Sequence, residues 1–94
     1  MHAVVRRHTG AEALAAALTE HQAEVTSLLS TIPGFKSYNT IRSGNSGVVT
    51  ITICEDKAGT DESVRRAAEW VRANLSGASI SPPEISEGDI FPGF

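Results

Sequence analysis

Three side chains are candidates for chemistry: His21 and Asn39 share a side of their elements with apolar residues, and Trp70 lies at the border of the apolar side of its helix. His21 lies in a long helical pattern, Asn39 in a strand pattern and Trp70 in a second helical pattern. A neutral imidazole can act as a general base near neutral pH, and an indole walls an apolar cavity while donating one hydrogen bond. The pattern therefore predicts that these three side chains line one pocket between helices and sheet. Its apolar walls are predicted to be Phe35, Ile51 and Ile53.

Each of these side chains also has a purely structural explanation. His21 can be a core or interface histidine that makes one hydrogen bond. Asn39 can bond to Ser37, to a backbone group or to a water molecule, and Trp70 can simply pack a helix on the sheet. For each residue, the catalytic and the structural explanation both stay open. A cavity beside the three side chains would favour the catalytic explanation.

The remaining reactive residue types point away from cofactor chemistry. Cys54 is the single cysteine, so no intrachain disulfide forms, and the residue is predicted to be a small buried filler. Arg6 and Arg7 face opposite ways on a strand, so at most one enters a given cavity. The sequence carries no glycine-rich phosphate loop, nucleophile elbow or His-Glu-x-x-His motif. We therefore expect neither a cofactor nor a metal.

Length and charge restrict the class of protein. The 94 residues predict a single domain spanning residues 1–94. Eight basic residues against eleven acidic ones give a net charge of −3, which argues against a nucleic-acid partner. No apolar run approaches the roughly 20 residues that cross a bilayer, and Met1–Arg7 lacks the apolar core of a signal peptide. We expect no membrane partner and a cytoplasmic location.

The elements that must position the candidates alternate between strand and helix patterns. A strand is predicted at His2–His8, and Thr9 caps a helix that runs from Gly10 to about Thr31. Its apolar side is predicted to be Leu14, Leu18, His21, Val25, Leu28 and Ile32. Two strands, Phe35–Ser43 and Val48–Glu55, flank a glycine-rich hairpin. A second helix is predicted from Thr60, with the stripe Val64, Ala67, Ala68, Val71 and Leu75 and a C-cap at Gly77, before a last strand at Glu84–Phe91.

This order, βαββαβ, predicts a ferredoxin-like α+β fold, in which two helices cover one face of a four-stranded antiparallel sheet. The first and third strands are predicted to be parallel neighbours at the centre, with the second and fourth strands outside. Ser37, Asn39 and Ile41 are predicted to face the helices.

The opposite face is predicted to carry Tyr38, Thr50, Thr52 and Cys54. A bare sheet face needs a cover, so we expect a homodimer that closes into a barrel. Phe91, near the end of the chain, is predicted to be buried at that interface or over the mouth of the barrel.

The motif Ile32-Pro33-Gly34-Phe35 after a long helix, the valine- and threonine-rich strand ending Cys54-Glu55-Asp56-Lys57, and the helix holding Trp70 resemble the dimeric α/β-barrel superfamily. Within it, the sequence is most similar to the antibiotic biosynthesis monooxygenase-like family. The resemblance implies a ferredoxin-like dimer with a cavity between sheet and helices in each subunit. It also implies oxidation of phenolic substrates without a bound cofactor in some members, which use Asn, Trp and Arg side chains in the cavity; Asn39, Trp70 and one of Arg6 and Arg7 match those types.

Members of the haem-degrading branch carry an asparagine on the first strand and a histidine near the end of the second helix. This sequence has neither. The leading hypothesis is a cofactor-independent monooxygenase that acts on an aromatic or polyketide-like small molecule. The alternative is a non-catalytic dimeric module that binds a small apolar ligand or serves in assembly. A third hypothesis is an isomerase or lyase with His21 as its base.

Overall fold

The residues that the computed structural model describes, 1–9, 12–43, 47–75 and 83–91, form four strands and three helices. The strands are β1 (His2–His8), β2 (Phe35–Ser43), β3 (Gly47–Cys54) and β4 (Glu84–Asp89). The helices are α1 (Glu12–Glu20), α2 (Gln22–Ser30) and α3 (Lys57–Asn74). None of these helices is long and apolar enough to cross a membrane. The predicted C-cap at Gly77 and the tip of the β2–β3 hairpin lie outside the described residues.

The strands form one antiparallel sheet in the order β2-β3-β1-β4. The predicted central pair, β1 and β3, and the predicted outer strands are confirmed. The prediction that β1 and β3 run parallel is wrong. The helical crossover makes β2 run parallel to β1. The hairpin then makes β3 antiparallel to β2, so β3 must also be antiparallel to β1.

The predicted first helix is divided in two at His21. The backbone of His21 has φ −108° and ψ 27°, outside the α-helical range. Its N–H still donates to the carbonyl of Ala17 at 2.9 Å, and its carbonyl accepts from the N–H of Val25 at 3.0 Å. The chain therefore bends at His21 while the helical hydrogen bonds continue on both sides, and the single-helix prediction is wrong.

Helix α3 begins at Lys57, three residues before the predicted cap. The carboxylate of Asp56 is the N-cap and accepts a hydrogen bond from the N–H of Gly59 at 3.1 Å. The buried residues of α3 are Gly59, Thr60, Ser63, Ala67 and Trp70. Val64 and Val71, which were predicted to lie on the buried side of this helix, are only half-buried. The hydroxyls of Thr60 and Ser63 donate to carbonyls three residues earlier, which allows these polar residues to face the sheet.

The two faces of the sheet are the reverse of those predicted. The helices cover the side that carries His2, Val4, Arg6, His8, Val48, Thr50, Thr52 and Cys54, all of them buried. Tyr38 pairs with Thr52 and lies on this covered side, while Asn39 pairs with Ile51 on the other. The uncovered side, which we call the outer face, carries the half-buried or exposed apolar residues Ala3, Val5, Ile41, Val49, Ile51 and Ile53.

The core therefore consists of large apolar residues from the helices packed on a partly polar sheet surface. Its buried large aliphatic residues from the first two helices and the turn after them are Leu14, Leu18, Val25, Leu29 and Ile32. Cys54 is fully buried, as predicted for a small filler, and burial raises the pKa of its thiol. A thiol in this state is a poor nucleophile.

Strand β4 ends before the predicted last residue of the strand. It pairs with β1 from Glu84 to Asp89 with a continuous register. Phe91 lies beyond it and is 85% exposed in a single subunit. Its burial against a second subunit stays a prediction, and residues 92–94 lie outside the described part of the chain.

Candidate active site

A cavity of about 20 Å³ lies between the covered side of the sheet and the helices. Such a volume holds about one water molecule. Its apolar wall comes from Leu14, Leu18, Val25, Ala67, Trp70 and Val71, and its sheet side comes from Arg6, His8, Tyr38 and Thr50. The cavity thus combines aromatic and aliphatic walls with a cation and an imidazole on β1.

Arg6 is a buried cation without a counter-ion among the described side chains. Strand alternation turns it toward the helices, where it is 7% exposed. Its Nε has no hydrogen-bond partner, and no ion pair involves Arg6 in the described ranges. Burial lowers the pKa of Arg6, and the nearby Tyr38 partly offsets this effect. A guanidinium nevertheless stays protonated in proteins, so the cavity contains a positive charge.

His8 lies two residues along β1 on the same side of the sheet. It is 9% exposed, and its Nδ1 has no hydrogen-bond partner within the described structure. Burial and, to a smaller extent, the charge of Arg6 lower the pKa of His8. The imidazole is therefore neutral at pH 7 and can accept a proton, as a general base must.

The depressed pKa of His8 predicts a loss of stability in acid. Because the unfolded chain binds the proton at a higher pH than the folded chain does, the free energy of unfolding falls as pH drops through the unfolded value of about 6.5. Urea unfolding at pH 7.5 and 5.5 measures this, and His8→Gln is expected to flatten the dependence. An NMR titration of the His8 ring with a midpoint at or above the ordinary histidine value would contradict the prediction.

Trp70 and His21 come together at the bend between α1 and α2. The indole N–H of Trp70 donates to Glu24 Oε2 at 3.1 Å, and His21 Nδ1 lies 3.4 Å from the same oxygen. The two rings meet edge to face with their centroids 5.7 Å apart. Trp70 lines the cavity, whereas the His21 side chain is 45% exposed and lies outside it.

Asn39 lies apart from the other two candidates. Its pairing with Ile51 places it on the outer face, where it is exposed. The predicted orientation of Asn39 toward the helices is therefore wrong, as is that of the predicted walls Ile51 and Ile53. Phe35 packs against the core but does not line the cavity. The catalytic roles predicted for His21, Asn39 and Trp70 stay predictions.

Sequence reasoning missed His8, Tyr38 and Thr50 as cavity residues and left Arg6 and Arg7 undecided. The signal that could have identified Arg6 and His8 is the period of two in β1, where His2, Val4, Arg6 and His8 share one side. That period groups the residues correctly. It does not say which group meets the helices, because the other group also contains a valine.

Searches of solved structures find chains that match nearly the full length of this one. A protein of unknown function from Nitrosomonas europaea has a TM-score of 0.75 and 22% identity, with 99% of this chain and 91% of that chain covered. SnoaB, a cofactor-independent oxygenase from Streptomyces nogalater, has a TM-score of 0.68 and 19% identity, with 98% and 94% covered. The ActVA-Orf6 monooxygenase from Streptomyces coelicolor, solved with the ligand nanaomycin D, has a TM-score of 0.66 and 24% identity, with 98% and 91% covered.

The chain has the fold of the antibiotic biosynthesis monooxygenase-like proteins. The ferredoxin-like fold expected from the sequence is thereby confirmed, whereas its closure into a dimeric barrel stays a prediction. No protein-family model matches the sequence, and no curated protein matches it significantly. At these sequence identities, the similarity to antibiotic biosynthesis monooxygenase-like proteins establishes the fold alone. Any activity must be argued from the residues of the cavity.

Proposed function

We propose that the protein is a cofactor-independent monooxygenase that acts on a hydroxylated aromatic or polyketide-like small molecule. The observation that carries the proposal is the neutral His8, whose Nδ1 lacks a partner inside the cavity. Two oxygenases with this fold, SnoaB and ActVA-Orf6, support the reaction class. The aromatic rings of Trp70 and Tyr38 in the cavity wall support an aromatic substrate.

The chemistry requires a base and an electron-rich substrate. His8 removes a proton from the acidic carbon of a hydroxyanthrone-like compound, and the resulting carbanion, delocalised as an enolate, reduces oxygen and combines with it. Protonation by the imidazolium gives a hydroperoxide, R₂CH–OOH, which loses water to form R₂C=O. One oxygen atom enters the product and the other leaves as water with two hydrogens of the substrate. The substrate thus supplies all the electrons.

The other predicted residues take different positions in this proposal. Trp70 packs against the substrate ring, and Glu24 with His21 acts as a positioning pair that orients the indole. Asn39 has no role in the cavity of its own subunit. Because about 20 Å³ is far too small for a ring, the proposal requires the helices to move away from the sheet when substrate binds.

Oxygen uptake tests the proposal directly. With a hydroxyanthrone and with a chelator present, the purified protein is expected to consume one oxygen molecule for each substrate molecule without added metal or flavin. His8→Gln is expected to lower turnover at least tenfold, because the base is lost. Asn39→Ala is the comparison variant, since it carries a substitution on the outer face and is expected to keep its turnover.

A different result would favour another explanation. Equal turnover in wild type and His8→Gln, each above the uncatalysed rate, would overturn the role of His8. A tenfold loss in Asn39→Ala would instead support the site predicted from the sequence. Absence of any catalysed uptake would favour the alternative function, a non-catalytic ligand-binding or assembly module.

A further inference from the structure

We infer that the cavity binds a hydroxy-aromatic acid, with the carboxylate of the ligand paired to the guanidinium of Arg6 and the reacting side of its ring directed to His8. The inference rests on the proposed function only in placing the substrate in this cavity. It narrows the substrate class from aromatic compounds in general to those that carry a negative charge.

Arg6 differs from other cations of the chain in having no carboxylate partner in the described structure. Arg65 is exposed, yet it binds the carboxylates of Glu62 and Glu69 at 2.6 to 2.8 Å. Lys57, also exposed, binds Asp61 and lies 3.0 Å from Glu87. A buried charge needs a partner far more than an exposed one does, because water no longer solvates it.

Arg6 is buried, yet no carboxylate pairs with its guanidinium in the part of the chain that the structure describes. A carboxylate matches the planar fork of a guanidinium with two parallel hydrogen bonds. A ligand carboxylate would therefore supply the missing counter-ion.

Unpaired polar atoms of the described residues gather at this cavity. Arg6 Nε, His8 Nδ1 and Thr50 Oγ1 all lack hydrogen-bond partners in the described structure, and all three residues line the cavity. Buried polar atoms are nearly always paired in folded proteins. Three unpaired ones at one apolar cavity indicate a ligand that presents oxygen atoms to the sheet and a ring to Trp70.

The test compares an acid with its neutral amide at pH 7.5. In the wild type, 4-hydroxybenzoate is expected to raise the unfolding midpoint and to change the fluorescence of Trp70, the single tryptophan. At the same concentration, 4-hydroxybenzamide is expected to do neither. Arg6→Met is expected to lower the affinity for the acid at least tenfold and so to abolish the difference, while Arg7→Met, an exposed neighbour on the outer face, keeps it.

The inference is overturned if acid and amide bind the wild type equally, if neither binds, or if Arg6→Met retains the preference for the acid. If Arg6→Met does not fold, Arg6→Lys serves instead, because it keeps the charge but loses the fork and is expected to weaken acid binding by a smaller factor. The fluorescence readout needs no turnover. Acid binding without oxygen uptake would refute the oxygenase alone, and oxygen uptake without a preference for the acid would refute this inference alone.

Discussion

Ile51→Asp is expected to convert a homodimer into a monomer of 9.9 kDa. Ile51 lies at the middle of the outer face, between Val5 on β1 and Asn39 on β2. This face is apolar at six positions and no helix covers it in the described residues, so a second copy is the simplest cover. A carboxylate buried in such an interface without a partner costs several kcal/mol, enough to prevent association at micromolar concentration.

Light scattering at micromolar concentration measures the effect, and the wild type is expected to show about twice the chain mass. The matched control is Ile85→Asp. Ile85 is also exposed, at 47%, but it pairs with Arg6 and so projects from the helix side of the edge strand β4. That variant is expected to remain dimeric. A monomeric wild type, or a dimeric Ile51→Asp, would show that the outer face has another role.

Arg6→Met is expected to raise the free energy of unfolding by about 1–4 kcal/mol in the absence of ligand. The wild type retains a buried guanidinium whose Nε has no partner and near which the described side chains place no carboxylate. Methionine fills similar space along an unbranched chain and removes the charge. A stabilising substitution at a cavity residue is the usual sign of a group retained for function at some cost to stability.

Urea unfolding at pH 7.5 gives the free energy, with Arg7→Met as the control. Arg7 lies on the other side of the same strand, away from the cavity, so its substitution shows the effect of losing an arginine of β1 that does not line the cavity. A clear loss of stability in Arg6→Met would contradict the prediction and show that the guanidinium stabilises the unliganded fold. Acid binding by Arg6→Lys, which keeps the charge, would then decide whether a ligand carboxylate pairs with this residue.

Local patterns were sufficient for the elements and their order. The β-branched stretch in β3, Pro33-Gly34 after the second helical segment and the polar hairpin after β2 each act over a few residues, so they can be interpreted without the rest of the chain. The order of elements then limited the connections to one arrangement with β1 and β3 at the centre. The antiparallel direction of that pair also follows from the order of elements, although the prediction missed it.

Local patterns could not predict which side of the sheet meets the helices. Alternation in β3 separates Val49, Ile51 and Ile53 from the threonines and Cys54, and the more apolar group was expected to face the helices. The structure shows the threonine group there. A sheet with two faces to cover carries apolar residues on both, so hydrophobicity alone does not rank them.

The helix faces were misjudged for a related reason. Thr60 and Ser63 look solvent-exposed in the sequence, but their hydroxyls bond to the helix's own carbonyls, so that α3 turns this side and Trp70 inward. His21 fits the apolar side of one long helix, but the bend at His21 leaves it at the surface beside Glu24.

The sequence by itself determined which segments are strands and which are helical, how they connect and which residues share a side of each strand, because these depend on steric and hydrogen-bonding preferences over a few neighbouring residues. Only the tertiary structure decided that Arg6, His8 and Trp70 meet at one cavity while Asn39 lies on the outer face. Burial and the pairing of charges depend on which surfaces come together, and residues distant in the chain set that outcome.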